Sequence, residues 1–119
     1  MLRQMCKSKI HMATVTETVL HYEGSIGIDR TLLEATDLFP FEKVQVLNVN
    51  SGRRLETYVI EAPAGSGTIS LNGAAARDTE VGDKVIIIAY CLADDTEARG
   101  IKPRIVIADE HNGIKTVVS

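Results

Sequence analysis

"KVQVLNV", Lys43–Val49, and "RLETYVIEA", Arg54–Ala62, stand on either side of "NSGR", residues 50–53. In both runs β-branched and aromatic residues alternate with polar ones, the period of a strand with one face buried, and the Ser-Gly between them is a turn signal. The middle of the chain therefore reads as a β-hairpin.

The same texture extends outward. Toward the N-terminus, Met5–Val19 reads as one strand, with apolar residues at Ile10 and Met12 and then at Ala13 and Val15; that change of phase, and the length, call for a bend or bulge. Toward the C-terminus, "TISL" reads as a short strand after the turn "APAGSG", and "NGAAARD" as a turn leading to at most one turn of helix. "VGDKVIIIAYCLA" reads as the most buried strand, and "RIVIA" and "IKTVV" as a final hairpin around "DEHNG", with "DDTEARGIKP" a polar connection before it. Helix is expected only in "DRTLLEATD", with Asp29 as N-cap, Thr31 and Glu34 at capping-box spacing and Pro40 ending it. Six to eight short strands with little helix indicate a mainly β fold, a closed barrel or a sandwich.

With 119 residues, 45% apolar and 24% charged, the chain suits one globular domain spanning residues 1–119. A net charge of -3, no basic run and few aromatic residues argue against nucleic acid as a partner. No apolar run is long enough to span a membrane and "MLRQMCKSKIHMATV" lacks the apolar core of a signal peptide, so a cytoplasmic location is expected. Cys6 and Cys91 lie far apart without metal-ligand spacing; both read as buried small side chains, and no metal site is expected.

Gly24-Ser25, in "LHYEGSIGID", stands between an expected strand and an expected short helix. A turn is its plain reading. Gly65-Ser66, the same pair, sits in "APAGSGTI", where a turn suffices. The chemical reading is an N-to-O acyl shift: the Ser25 hydroxyl attacks the Gly24 carbonyl and leaves an ester. Glycine leaves that carbonyl unshielded and permits a strained backbone. Loss of the Ser25 α-proton then expels the ester by β-elimination, and water with loss of ammonia converts the remnant to a pyruvoyl group. The chain would become residues 1–24 and 25–119, carrying a built-in carbonyl that acts toward amino acids as pyridoxal phosphate does.

"KSKIHMATVT", "LHYEGSIGID", "GRRLETYVI" and "SLNGAAARD", in this order and spacing, together resemble the aspartate 1-decarboxylases, pyruvoyl enzymes that make β-alanine for pantothenate biosynthesis. The resemblance runs from the N-terminus to about Tyr90. It implies a double-psi β-barrel with short helical turns, a zymogen cleaved autocatalytically between Gly24 and Ser25, and a homotetramer with active sites between subunits. It also implies a carboxy-lyase acting on L-aspartate through a Schiff base on the pyruvoyl group formed from Ser25, without metal or pyridoxal phosphate. A helper protein for maturation is neither required nor excluded by these motifs.

Carried over residue by residue, the resemblance gives Tyr58 the role of proton donor, and a phenol suits protonation of so basic a carbon. Thr57 supports the acyl shift near the Gly24 carbonyl. Arg54 binds the carboxylate that aspartate retains, where a guanidinium makes two parallel hydrogen bonds. Lys9 and His11 line the pocket, and Asn72, Gly73 and Ala74 border the pyruvoyl group. Neighbouring residues of a regular strand face opposite ways, so Thr57 and Tyr58 require either a bulge or two different sites. Arg77 stands where the family commonly has histidine, and the tail after Asp109 is short. Two rivals remain: a non-catalytic β-barrel binding or assembly module with an intact chain, and a pyruvoyl decarboxylase for another amino acid, against which Arg54 argues.

Overall fold

A computed structural model of the chain describes residues 1–118. The first strand, β1 (Arg3–Thr14), buries Ser8 and Ile10 and then Ala13, a change of phase made by one extra residue. Its pairing slips between Ile10 and Ala13, and Met12 takes up the extra residue with φ 61, so the expected bulge is present. After Thr16, which both donates to and accepts from the Ile69 backbone, the chain resumes as a separate short strand, β2 (Glu17–Val19).

The segment after Gly24 departs from expectation. Ser25–Asp29 is a strand, β3, with all five residues buried, and the helix α1 (Arg30–Thr36) starts only beyond it. β3 lies between two neighbours; Ile26 and Ile28 alternate with Ser25, Gly27 and Asp29, but the run is only five residues long and ends on the helix cap, which hides the strand period. Asp29 caps α1 by accepting from the Thr31 N–H at 2.8 Å, as read; Glu34 pairs instead with Arg30, at 3.5 Å. The helix stops at Asp37, whose left-handed backbone closes the last turn, and not at Pro40.

β4 (Lys43–Asn48) and β5 (Arg54–Ala62) form the expected antiparallel hairpin, in unbroken register from Lys43–Tyr58 to Leu47–Arg54. β6 (Ile69–Asn72) is buried throughout and leads into a 3₁₀ helix, Gly73–Asp78, longer than the single turn expected. β7 (Lys84–Ala93) alternates: Val85, Ile87 and Ala89 are buried while Ile86 and Ile88 are half-covered, so β3 and β6 are the most buried strands, not β7. The polar connection contains a short helix, α2 (Asp95–Gly100), capped by Asp94, before β8 (Arg104–Ala108) and β9 (Ile114–Val118) make the final hairpin. Cys6 and Cys91 are half-buried free thiols, not fully buried.

Among the described residues the strands run β2-β6-β3-β5-β4-β7-β1-β8-β9, nine where six to eight were expected. Parallel pairs (β1–β8, β2–β6, β3–β5) interleave with antiparallel ones, and β2 continues β1, so the sheet curls back upon its own first segment. The result is a mainly β, double-psi barrel. One apolar cluster drawn from β1, β3–β8 and α1 fills it, including Ile10, Ile26, Val59, Leu71, Ile87 and Val106. With the interior filled, any ligand binds on the outer face.

Candidate active site

Side-chain parity on three neighbouring strands, β6, β3 and β5, builds the site. Ile26, Val59 and Leu71 point into the core, so their neighbours Ser25, Tyr58 and Asn72 point outward. Ser25 lies opposite Asn72 across β3–β6, and extending the β3–β5 register by one residue sets Tyr58 on the other side of Ser25. In the next row Ser70, Gly27 and Ile60 share the same face.

Ser25 is only 1% exposed. Its Oγ accepts from Asn72 Nδ2 at 3.0 Å and donates to the Glu23 carbonyl at 3.2 Å, while Ser70 Oγ donates to Asn72 Oδ1 at 2.8 Å. The three buried hydroxyl and amide groups form one line that ends at the hydroxyl beside the Gly24-Ser25 bond.

Gly73 backs the Gly24 residue that precedes that bond. Its φ is +68°, and a Cβ there would lie 2.8 Å from Gly24 Cα and 2.9 Å from both Gly24 N and the Tyr22 carbonyl. Only glycine permits this approach. Gly24 itself has open space where a Cβ would be and is outside the left-handed region, so the steric demand read into Gly24 belongs to Gly73. Ala74, next along, is exposed.

The β4–β5 register passes through Thr57 and Tyr58 without a bulge, so the two face opposite ways: Thr57 sides with Val44 and Val59, and Tyr58 lies outside. The Tyr58 ring stacks on Phe41, centroids 6.3 Å apart. Phe41 has φ 71°, unusual for a bulky residue.

Lys9, His11 and Arg54 lie apart from Ser25. β1 is four strands from β3, about 19 Å along the curved sheet at the usual strand spacing. Arg54 is four residues before Tyr58, about 13 Å along β5. These three residues occupy another part of the outer face: Lys9 is in one row with Ile88, Gln45 and Glu56, and Arg54 pairs with Leu47, itself opposite Ile86. His11 Nδ1 is buried without a hydrogen-bond partner. Arg54 is exposed and has no ion pair among the described residues. A groove of about 470 Å³ between Gln4, Lys43, Gln45, Glu56, Ile88 and Tyr90 adjoins this second cluster and does not reach Ser25.

Asp29, at the opposite end of β3 from Ser25, fixes that end of the strand. Burial works against its charge, but backbone N–H groups of Gly67, Thr31 and Gly65 outweigh that and hold its carboxyl below the usual range. Arg77 is exposed at the end of the 3₁₀ helix, and its neighbour Asp78 pairs with Arg53 at 3.0 Å. His21 and Tyr22 are exposed ahead of Ser25, and His111 is exposed in its turn, as read. Ser70 was not anticipated; its signal was the Ser-x-Asn spacing, which sets both side chains on one face of a strand. Among the described residues no group of three or more His, Cys, Asp or Glu is placed to hold a metal ion, and no helix is long and apolar enough to cross a membrane.

Residues 1–115 match the family model described as aspartate decarboxylase. A protein of Carboxydothermus hydrogenoformans named aspartate 1-decarboxylase is 59% identical over 96% of this chain and 90% of its own. Those of Thermoanaerobacter pseudethanolicus and Syntrophus aciditrophicus, with the same name, are 56% and 57% identical over 94% and 97% of this chain and 96% and 99% of theirs. Among solved structures, that of the rationally designed mkDPBB_sym_86 protein matches 65% of this chain and 90% of its own, at 17% identity and a TM-score of 0.49. On the family match and these relatives, the chain belongs to the aspartate decarboxylase family.

Proposed function

We propose that this protein is a cytoplasmic, pyruvoyl-dependent decarboxylase that converts L-aspartate to β-alanine and carbon dioxide for pantothenate biosynthesis. It cleaves its own chain between Gly24 and Ser25 and works as a homotetramer with active sites between subunits. The observation that carries the reading is the buried Ser25 hydroxyl, held by Asn72 at 3.0 Å beside the Gly24-Ser25 bond, with Gly73 closely backing Gly24. A serine kept for solubility or for a turn would face water.

The surroundings of Ser25 suit a pyruvoyl group. Asn72 offers an N–H donor to an oxygen at that place, and the absent Cβ of Gly73 leaves the backbone close by. Such a group supplies an electrophilic carbonyl and an electron sink. The remaining work falls to side chains of the chain. Thr57, level with Gly24 in the extended register, hydrogen-bonds near the Gly24 carbonyl during the acyl shift. Tyr58, on the Ser25 face, holds a proton for the carbon that loses carbon dioxide. Asn72, Gly73 and Ala74 border the bound substrate.

Lys9 and His11 stand four strands from Ser25 and Arg54 four residues along β5 from Tyr58, and that separation supports a site assembled from two subunits. Arg54 of one subunit grips the retained carboxylate at the neighbour's Ser25. A strong cation on the departing carboxylate would stabilise the ground state and raise the barrier.

Intact mass under denaturing conditions tests the cleavage. The expected result is two fragments parting after Gly24, the larger lacking an amino-terminal serine and reacting with a carbonyl reagent, and a single chain for Ser25→Ala. A wild-type chain that stays whole and unreactive after warm incubation overturns the reading in favour of a non-catalytic barrel. Comparing turnover of aspartate with that of glutamate and ornithine then fixes the substrate.

A further inference from the structure

We propose that Ser70 is a positioning residue for self-cleavage, acting through Asn72 to keep an N–H donor on Ser25 Oγ. The proposal rests on the cleavage reading above. Ser70, Asn72 and Ser25 are 5%, 3% and 1% exposed, so no bulk water competes for their hydrogen bonds. Ser70 Oγ donates to Asn72 Oδ1 at 2.8 Å and has no other side-chain partner among the described residues, and Asn72 Nδ2 donates to Ser25 Oγ at 3.0 Å.

An amide can sit either way round, and its partners decide which. With Ser70 donating to the oxygen, the NH₂ faces Ser25. Without that hydroxyl, Asn72 Oδ1 is a buried acceptor with no donor, which is costly. Nothing then fixes which way round the amide sits, and an amide that turns over faces Ser25 with its oxygen. Ser25 Oγ then loses its donor.

The donor matters because of where charge develops. In the acyl shift, Ser25 Oγ bonds the Gly24 carbonyl carbon, the carbon–nitrogen bond breaks, and the hydroxyl proton ends on the freed nitrogen of residue 25. In the elimination, the α-proton of residue 25 leaves to water and the Cβ–Oγ bond breaks. Its electron pair stays on Oγ, now a carboxylate oxygen of Gly24. Oγ gains negative charge as that bond parts, and a fixed N–H in a water-poor site stabilises it. An amide held the other way presents an oxygen to that charge and opposes it.

The test is a time course of intact mass for wild type, Ser70→Ala, Ser70→Cys, Ser70→Thr, Asn72→Ala and the Ser70→Ala/Asn72→Ala double variant, with thermal unfolding of each. Ser70→Ala is expected to slow cleavage on the order of tenfold to a hundredfold, the scale of one misdirected donor. Ser70→Cys, similar in size but a weak donor, should be slow as well, and keeps the test open should the alanine variant fold poorly. Ser70→Thr should restore the rate. In the Asn72→Ala background, losing Ser70 should change the rate little. Cleavage of folded Ser70→Ala at the wild-type rate, or equal slowing with and without Asn72, overturns the role of Ser70 alone. A wild-type chain that stays whole overturns the cleavage reading, and this proposal with it.

Discussion

Replacing Gly73 with alanine should cost stability in two separable parts. The first is backbone: φ is +68°, and an L side chain in the left-handed region costs about 1–2 kcal/mol. The second is contact. The new Cβ would meet Gly24 Cα at 2.8 Å and Gly24 N and the Tyr22 carbonyl at 2.9 Å, all backbone atoms, where ordinary contact begins at 3.4 Å. The 22–24 segment must recede by a few tenths of an ångström, an overpacking strain of about 1–3 kcal/mol. Gly65 supplies the control. Its φ is +77° and nothing lies within 4 Å of its would-be Cβ, so Gly65→Ala carries the backbone part alone.

Urea unfolding at one protomer concentration, in a Ser25→Ala background that keeps every chain whole, should give losses of about 1–2 kcal/mol for Gly65→Ala and about 2–5 kcal/mol for Gly73→Ala. With Ser25 restored, Gly73→Ala should also slow cleavage more than tenfold, since misplacing reacting groups by a fraction of an ångström is expensive in rate. Gly65→Ala should leave cleavage unchanged. Equal stability losses at the two positions, or cleavage of Gly73→Ala at the wild-type rate, would refute the argument that the close approach of Gly73 positions Gly24.

Arg54→Lys should raise KM for aspartate about tenfold or more with a smaller change in kcat, because a point charge replaces a two-pronged grip; steady-state kinetics with unchanged KM would count against that placement. If sites are built from two subunits, a Ser25→Ala chain and a Lys9→Ala chain, each nearly inactive alone, should regain a fraction of wild-type turnover when co-expressed, and no recovery in mixed oligomers would place Lys9 outside the site. Asp29→Asn should lower the melting temperature by an amount that depends on pH. In the unfolded chain this carboxyl titrates near 3.8 and in the folded chain lower, so between those values the unfolded state binds more protons and stability rises with pH. The wild-type advantage should be complete above 3.8 and shrink as pH falls through the folded value, and a gap that stays constant down to pH 2.5 would refute it.

Much of the fold was legible because its signals are local. The 43–62 hairpin declares itself by alternation and Ser-Gly, the bulge in β1 by the phase change between Ile10 and Ala13, and α1 by Asp29. β3 is short and ends on the cap of α1, so "SIGID", although it alternates, passes for the approach to a helix. α2 was missed although Asp94 and Glu97 stand at capping-box spacing. At the site, the motif residues were legible by resemblance, while Ser70 and the demand at Gly73 depend on what lies across a strand pair.

By itself the sequence determined the β character, most strand positions, the cap at Asp29 and the unusual setting of Gly24-Ser25, since period, turn chemistry and motif spacing are carried by residues close along the chain. Tertiary structure alone decided that Asn72 and Tyr58 flank Ser25, that Gly73 approaches Gly24, that Lys9 and His11 stand some strands away and that Arg54 lies at the far end of the neighbouring strand. Strand order and register are set by which apolar faces can be buried together, and that is a property of the whole barrel.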